Sequence, residues 1–189
     1  MKLIIVLNCF LYFLFISLTT LAKETWILNK DISTIEFELP ILLANNVSGK
    51  FKEIEGVIEI DLNKKMNNKA IFSADIKSID MNYKKYKNLL LSNIFFDSQQ
   101  FPKALVDTKK FSYENEKVVN LNVELTIKGI TNSVPLTLEI IKLAEELVQI
   151  KGRLKFSRTD FQVGIEQWKN TSILKDQANI DVNLFLSKE

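Results

Sequence analysis

The sequence predicts an all-β protein built from antiparallel strands, and three features lead to that prediction. Apolar and polar residues alternate along most of the chain, which gives each segment one apolar and one polar face and is typical of antiparallel sheet. About eight such segments follow one another at spacings typical of a barrel or a sandwich. With only 5 Gly and 3 Pro among 189 residues, no boundary divides the chain, so we expect a single domain.

The first 22 residues have the pattern of a secretory signal peptide. Lys2 supplies a positive charge, an apolar run follows, and Thr20-Leu21-Ala22 carries the small residues that a signal peptidase requires. The alternative is a retained membrane anchor, because the apolar run approaches the ~20 residues that span a bilayer. We expect cleavage after Ala22, which would leave residues 23–189 as one periplasmic domain without a lipid anchor.

The composition argues for a binding protein rather than an enzyme. The chain has no histidine, and its one cysteine, Cys9, lies in the predicted leader. These absences exclude disulfides in the mature protein, Ser-His-Asp and Cys-His catalysis, and histidine metal sites, so no metal or cofactor is expected. The formal net charge of +2 gives no electrostatic reason to expect nucleic acid as a partner.

The predicted strands are recognised by an apolar residue at every second position. In chain order these inward-facing residues are Ile35, Phe37 and Leu39; Ile58, Ile60 and Leu62; Phe72, Ala74 and Ile76; Val123, Leu125 and Ile127; Val134, Leu136 and Leu138; Val148, Ile150, Leu154 and Phe156; and Ile180, Val182, Leu184 and Leu186. Ala74 lies between two large residues of its stripe, and a small residue at that point leaves room inside a barrel.

One hairpin is predicted with its turn. Alternation stops at Lys128-Gly129 and resumes after it, which indicates two strands joined by a tight connection. Gly129 would supply the positive φ that such a turn needs.

Two segments depart from alternation. Between Asn82 and Asn93, apolar and aromatic residues recur at helical spacing, which predicts a short amphipathic helix. A second non-strand segment is expected over residues 159–176, and Pro102 would mark the beginning of the strand that follows the helix.

Several fragments, in order, resemble the YceI-like polyisoprenoid-binding family from about Trp26 to the C-terminus. The hairpin Leu-Thr-Ile-x-Gly-Ile-Thr-x-x-Val-x-Leu begins at Leu125 and resembles the family's signature hairpin. The matching fragments are Trp26 with Ser33 and Phe37; Val47-x-Gly49-x-Phe51 with Gly56-x-Ile58 and Asp61; Ser78-Ile79-Asp80; Phe95-Phe96-Asp97 with Phe101-Pro102; and Arg158-x-Asp160-Phe161-x-Val163-Gly164. In the last fragment, Gln162 replaces a glycine of the family pattern.

The resemblance implies an eight-stranded antiparallel, lipocalin-like barrel with one or two short helices. It also implies a periplasmic carrier that holds a polyprenyl compound, an isoprenoid quinone or a fatty amide in the lumen. Where the family usually has Arg-Asp-x-His in the helix, this chain has Tyr86-Lys87-Asn88-Leu89. Either a headgroup contact is lost, or a structural ion pair is replaced by packing of Tyr86 and Leu89; the second interpretation is favoured, since exposed ion pairs contribute little.

The candidate site combines inward apolar residues with one polar pair. Arg158 can grip a headgroup through two parallel hydrogen bonds, or it can form a structural clasp with a turn at Asp160, and we favour the clasp. The aromatic residues near the helix and the late segment either line a ligand mouth or close one end of the core. The residues predicted to contact ligand are Phe37, Phe72, Ala74, Ile76, Phe95, Phe96, Phe101, Leu125, Ile127, Phe156, Arg158, Asp160 and Phe161.

Two other functions stay open at this point. A dry, packed barrel could act as an envelope stress or interaction module without any ligand. An enzyme using carboxylate and tyrosine groups would need acidic residues pointing inward, whereas the alternation places almost every Asp and Glu outside. The expected partner is an apolar lipid, and transient membrane contact and a homodimer are left open as further partners.

Overall fold

The computed structural model describes residues 23–61, 65–114 and 116–189. The predicted signal peptide and Leu62 lie outside the described residues. Among those that are described, no helix is long and apolar enough to cross a membrane. Eleven strands form one antiparallel sheet.

Strands make up most of the described chain, and short helices lie in the connections between some of them. The strands are β1 (Lys23–Leu28), β2 (Thr34–Leu39), β3 (Val47–Phe51), β4 (Ile54–Asp61), β5 (Asn68–Asp75), β6 (Ile79–Met81), β7 (Lys103–Phe111), β8 (Val118–Ile127), β9 (Ile130–Ala144), β10 (Leu147–Ser157) and β11 (Gln177–Lys188). Within the described residues, the α-helix is α1 (Lys87–Leu91), and the 3-10 helices are Ile76–Ser78, Lys84–Tyr86, Arg158–Phe161 and Glu166–Lys169.

The sheet closes into a barrel of eight rows. Its order is β1-β4-β5-β7-β8-β9-β10-β11, and β11 pairs again with β1, which completes the ring. The short strands β2, β3 and β6 continue the rows of β1, β4 and β5, because β2 also pairs with β11 and β3 pairs with both β2 and β6. The eight-stranded antiparallel barrel predicted from the sequence is therefore confirmed, with its first three rows each broken once.

The break between β5 and β6 corrects one prediction. Ile76 continues the alternation of Phe72 and Ala74 and was expected on the same strand, but it begins a 3-10 helix. The cause is Asp75, whose carboxylate accepts the backbone N–H of Lys77 at 2.7 Å and so caps that helix. Ile76 is nevertheless buried, with 2 % of its surface exposed.

The predicted hairpin and its turn are also confirmed. β8 and β9 pair in register from Val118↔Glu139 to Ile127↔Ile130. Both turn residues have positive φ, 52° at Lys128 and 74° at Gly129. Positive φ at both central positions is the two-residue turn whose twist matches that of a hairpin.

The two ends of the barrel differ in their connections. The end that we call the upper end carries the long connections 40–46, 82–102 and 158–176 together with the β8–β9 turn. The lower end carries the shorter turns of β4–β5, β7–β8 and β9–β10. The predicted helix in 82–93 is present as one 3-10 turn followed by α1, and 159–176 is mostly non-strand, as expected.

The buried residues form two apolar clusters within the ring. One includes Leu28, Ile58 and Ala74, and the other includes Val123, Leu136 and Phe161. Four partly buried residues pack against both clusters: Leu90, Phe96, Ala104 and Leu138. The helix segment and the barrel wall thus share one continuous interior.

Candidate functional site

The strand register gives the barrel an interior surface without charge over most of its length. Cross-strand pairs such as Ile150↔Leu184, Leu154↔Ile180 and Ile58↔Ala70 consist of two apolar residues that both face the inner side. Within the described strands, the charged residues that this register directs inward are Glu24, Lys142 and Lys188, all at the lower rim. The chemical character of the interior between its rims therefore matches that of an uncharged apolar molecule.

Small residues recur on the inner side of the wall. They are Gly49, Gly56, Gly152, Ala70, Ala74, Ala104 and Ala178. Ala74 and Ala104 are direct partners on β5 and β7. An eight-stranded barrel is only wide enough to be filled by its own side chains or to hold one slender ligand, so the side chains that lie over these small residues decide how much of the interior is filled.

Three of the wall glycines are covered by a large side chain of a neighbouring strand. A Cβ added to Gly56 would lie 2.0 Å from Cδ1 of Phe72, and one added to Gly49 would lie 2.7 Å from Cε1 of Phe37. A Cβ at Gly152 would likewise lie 2.4 Å from Cδ2 of Leu138. Phe37, Phe72 and Leu138 therefore lie against the wall instead of pointing at the barrel axis.

The upper end is closed by the segments 82–102 and 158–176, which are joined to each other. The backbone carbonyl of Ile94 accepts the N–H groups of Gly164 and Ile165, each at 3.0 Å. Lys128, at the β8–β9 turn, donates to the carbonyls of Asn93 at 2.5 Å and Gln162 at 3.1 Å. Partial burial lowers the pKa of the Lys128 ammonium, and the charge of Asp97 opposes that effect.

Arg158 is the largest fully buried side chain, with 1 % exposure. Its guanidinium makes five hydrogen bonds, all to backbone carbonyls. Nε donates to Lys175 at 3.0 Å; Nη1 donates to Val163 at 2.8 Å and Gly164 at 3.1 Å; Nη2 donates to Trp168 at 2.7 Å and Leu174 at 3.0 Å. A guanidinium has five N–H donors, so none remains for a headgroup.

The carboxylate beside Arg158 is Asp176, not Asp160. Asp160 is exposed, and among the described residues it forms no ion pair with Arg158. Asp176 instead accepts hydrogen bonds from the Ser157 hydroxyl at 2.7 Å and the Thr159 hydroxyl at 2.8 Å. The expected Arg158–Asp160 clasp is therefore corrected: the structural role of Arg158 holds, but it is performed through carbonyls.

Two pKa shifts follow from this arrangement. Burial lowers the pKa of the Arg158 guanidinium, and the charge of Asp176 opposes that shift. Burial alone would raise the pKa of Asp176, but the bonds from Ser157 and Thr159 and the charge of Arg158 outweigh it, so that the pKa lies below its usual value.

The predicted aromatic residues gather at the upper end. Phe95 and Phe161 are buried, and Phe96, Phe101 and Phe156 are partly buried. Phe161 meets Phe156 edge to face at 5.2 Å, and Phe95 lies 5.7 Å from Trp168. A Cβ at Gly129 would be 2.5 Å from Cε1 of Phe101, so this ring covers the β8–β9 turn.

Six of the predicted ligand residues lie on the barrel wall. Phe37, Phe72, Ala74, Leu125, Ile127 and Phe156 all lie on the inner side of strands. The structure therefore brings together the apolar members of the predicted set, whereas Arg158 has no donor free and Asp160 is exposed. Contact of these residues with a ligand stays a prediction.

The helix departure from the family pattern is resolved in part. Leu89 packs against the apolar cluster that includes Val123, Leu136 and Phe161, as expected if packing replaces a clasp. Tyr86 does not: it is 47 % exposed, 6.3 Å from Tyr83, with the Lys85 ammonium 5.0 Å from its ring.

Sequence reasoning missed Lys128 and Asp176. A signal for Lys128 was present, because a two-residue turn of this type needs positive φ at both positions and so fixes where the lysine points. Asp176 gave no signal, since its partners lie 17 and 19 residues earlier in the chain. Within the described residues, no group of three or more potential metal ligands is present.

Together the closed ring and its uncharged interior define a small antiparallel β-barrel of the lipocalin-like class. The model of the YceI-like domain matches residues 26–186, and the chain belongs to that family. The match spans nearly all of the described residues.

Similar proteins agree with this assignment. A UPF0312 protein of Staphylococcus aureus is 35 % identical over 100 residues, which are 53 % of this chain and 56 % of that protein. The chain thus matches about half the length of these curated relatives.

Solved structures share the fold at lower identity. BcnA of Burkholderia cenocepacia has a TM-score of 0.75 at 23 % identity, covering 84 % of this chain and 98 % of that one. A polyisoprenoid binding domain from Saccharophagus degradans, implicated in plant cell wall breakdown, has a TM-score of 0.71 at 15 % identity, covering 87 % and 98 %. The YCEI protein of Campylobacter jejuni has a TM-score of 0.65 at 24 % identity, covering 79 % and 89 %.

Proposed function

We propose that this protein is a periplasmic carrier that holds one long, uncharged lipid inside the barrel. The ligand class is a polyprenyl compound, an isoprenoid quinone or a fatty amide. The observation that supports this proposal is the inner wall. It is uncharged between its rims, and its large residues Phe37, Phe72 and Leu138 lie flat over glycines. A wall of that kind favours a slender occupant along the axis.

Family membership supports the ligand class. The Saccharophagus degradans domain, which shares the fold, is described as binding polyisoprenoid. Burial of an apolar chain contributes roughly 25 cal/mol per Å², so a long chain gains enough from an apolar lumen without any charged anchor. This agrees with an Arg158 whose donors are all occupied.

A dry, packed barrel is the second candidate. The two buried clusters favour it, because they already fill part of the interior with the protein's own side chains. An enzymatic function has no such support: the described strands direct no carboxylate into the middle of the barrel.

The first test is extraction of the purified protein. Protein isolated gently from its own host is expected to release a long-chain lipid at about one per chain or per two chains, measured by organic extraction and mass spectrometry. Protein that is repeatedly empty would contradict the carrier and favour the dry barrel.

The second test fills the lumen at Ala74. Ala74→Trp adds bulk beside Ala104, and we expect it to displace lipid while the melting temperature stays near that of the parent. In a tight core the same change would cost ~1–3 kcal/mol. The matched control is Ser73→Trp, because Ser73 is the adjacent residue and its hydroxyl contacts Glu55 on the outer side. A much lower melting temperature for Ala74→Trp alone would indicate a dry core.

A further inference from the structure

The upper end carries three exposed aliphatic side chains on two connected segments, which we call the apolar tip: Leu42, Leu43 and Ile173. Their exposed fractions are 48 %, 98 % and 66 %. Leu43 also has a left-handed φ of 58°, which is unfavourable for leucine. An aliphatic side chain held outward at such a cost needs an explanation other than folding.

The apolar tip is anchored in the barrel. Ile41 and Leu174 form a β-bridge and pack into the apolar cluster that includes Phe161, while their neighbours Leu42 and Ile173 are exposed. The N–H of Leu42 donates to the carbonyl of Ile173 at 2.9 Å, and the N–H of Lys175 donates to that of Pro40 at 3.0 Å. The exposed side chains therefore project from an ordered two-segment ladder.

Basic residues lie on the two segments next to the apolar tip. Tyr83 donates to the carbonyl of Asn45 at 3.4 Å and Asn82 donates to that of Asn46 at 2.9 Å, which fixes the start of the helix segment beside the tip. That segment carries three lysines, and the late segment carries two more; they are Lys84, Lys85, Lys87, Lys169 and Lys175. In the part of the chain that the structure describes, none of the five forms an ion pair.

The lower end also exposes apolar side chains, at Met66, Val118 and Leu143, but its charges differ. Two of its lysines, Lys65 and Lys117, are paired with Glu114 and Glu139 at 3.2 and 3.1 Å. Its turns carry Glu114, Glu116, Glu145 and Glu146 in the described residues. Exposed aliphatic side chains therefore occur at both ends, whereas five lysines without an ion pair in the described residues lie on the upper segments, which also carry Asp97, Asp160, Glu166 and Asp176.

We propose that the apolar tip docks on an anionic phospholipid bilayer. Leu42, Leu43 and Ile173 enter the boundary between headgroups and acyl chains, and the surrounding lysines contact phosphates, which is how peripheral proteins combine apolar and electrostatic attachment. Charge complementarity selects this occupant over a second copy of the chain, because two upper ends rich in unpaired lysines would repel each other. The purpose of the contact, transfer of lipid between bilayer and barrel, rests on the proposed carrier function; the contact itself does not.

The experiment is co-sedimentation of lipid-free protein (residues 23–189) with vesicles. Binding is expected to vesicles of equal parts phosphatidylglycerol and phosphatidylcholine, to fall as salt rises, and to be weak with phosphatidylcholine alone. Leu42→Ser/Leu43→Ser should weaken it at least about tenfold. Lys84→Gln/Lys85→Gln should weaken it about fivefold for each lysine.

Two matched controls come from the lower end. Leu143→Ser removes a leucine that is 48 % exposed, the same fraction as Leu42, and Lys65→Gln/Lys117→Gln removes two lysines there. Both should bind vesicles like the parent. Equal weakening by a control, or no binding to anionic vesicles, overturns the docking surface.

Two further outcomes also decide the matter. Concentration-dependent dimerisation that Leu42→Ser/Leu43→Ser abolishes, without vesicle binding, would assign the tip to a second copy and overturn the proposal. If lipid co-purifies with the protein but the protein does not bind vesicles, only the proposal that the tip docks on a bilayer is overturned. If the protein binds vesicles but never holds lipid, the docking proposal stands and the carrier function is overturned.

Discussion

The two ends of the barrel are stabilised in different ways. At the upper end, Arg158 is buried and joins parts of the 158–176 segment through five carbonyl bonds, and Lys128 connects that segment to 82–102. At the lower end, exposed pairs such as Lys117–Glu139 lie beside short turns. The side chain of the buried Asn68 accepts the N–H of Asp61 and donates to the carbonyl of Lys65, within its own turn.

This difference shows where a cation stabilises the fold. A surface ion pair gains little because water screens it, whereas a buried guanidinium is costly unless every donor is satisfied. Since Arg158 meets that condition with carbonyls, the long upper segment can stay ordered without being a strand. The same condition makes the upper end sensitive to single substitutions.

The largest expected effect is at Arg158, one of the two arginines of the chain. Lysine has three donors and no planar fork, so Arg158→Lys leaves at least two buried carbonyls unpaired, each costing about 1–3 kcal/mol. Arg158→Lys should therefore lower the free energy of unfolding by about 2–5 kcal/mol in urea denaturation.

Arg153→Lys is the matched control. Arg153 is exposed and binds both carboxylate oxygens of Asp181, at 2.6 and 2.9 Å. The loss there should be below about 1 kcal/mol. Similar small losses for both variants would mean that the carbonyl cage does not hold the upper end together.

The next effect is the pH dependence of the upper end. Because the pKa of Asp176 is lowered in the folded protein, its contribution to stability is present above the ordinary aspartate pKa and is lost as the pH falls through the folded value. Asp176→Asn should therefore flatten the loss of melting temperature below about pH 4.

Ser157→Ala/Thr159→Val tests the cause of that shift. This variant keeps the carboxylate but removes the two hydroxyl donors, so the pKa of Asp176 should rise toward its usual value and the acid dependence should shrink. If both variants lose melting temperature at acid pH in the same way as the parent, the titration of Asp176 does not cause that loss.

The sequence predicted the barrel well because period-2 burial depends on each residue's own polarity. It misplaced Ile76 because the capping carboxylate of Asp75 overrode an apolar spacing that continued unbroken. It paired Arg158 with the nearby Asp160 because the true acceptors, main-chain carbonyls, carry no mark in a sequence. The apolar residues of the candidate site follow the same alternation as the barrel and lie on its inner side, whereas the contacts of its polar residues gave no such pattern.

The smallest expected effect is at the lower end, in the exposed pair Lys117–Glu139. Its two side chains are 74 % and 41 % exposed and 3.1 Å apart. The coupling free energy from a double-mutant cycle of Lys117→Gln and Glu139→Gln should be below about 0.5 kcal/mol, because solvent screens the pair and holding two long side chains costs entropy. It should vanish in high salt, since the Debye length falls to about 3 Å at 1 M. A coupling of several kcal/mol that persists in salt would show that the lower end, too, depends on its charges, and the contrast between the two ends would fail.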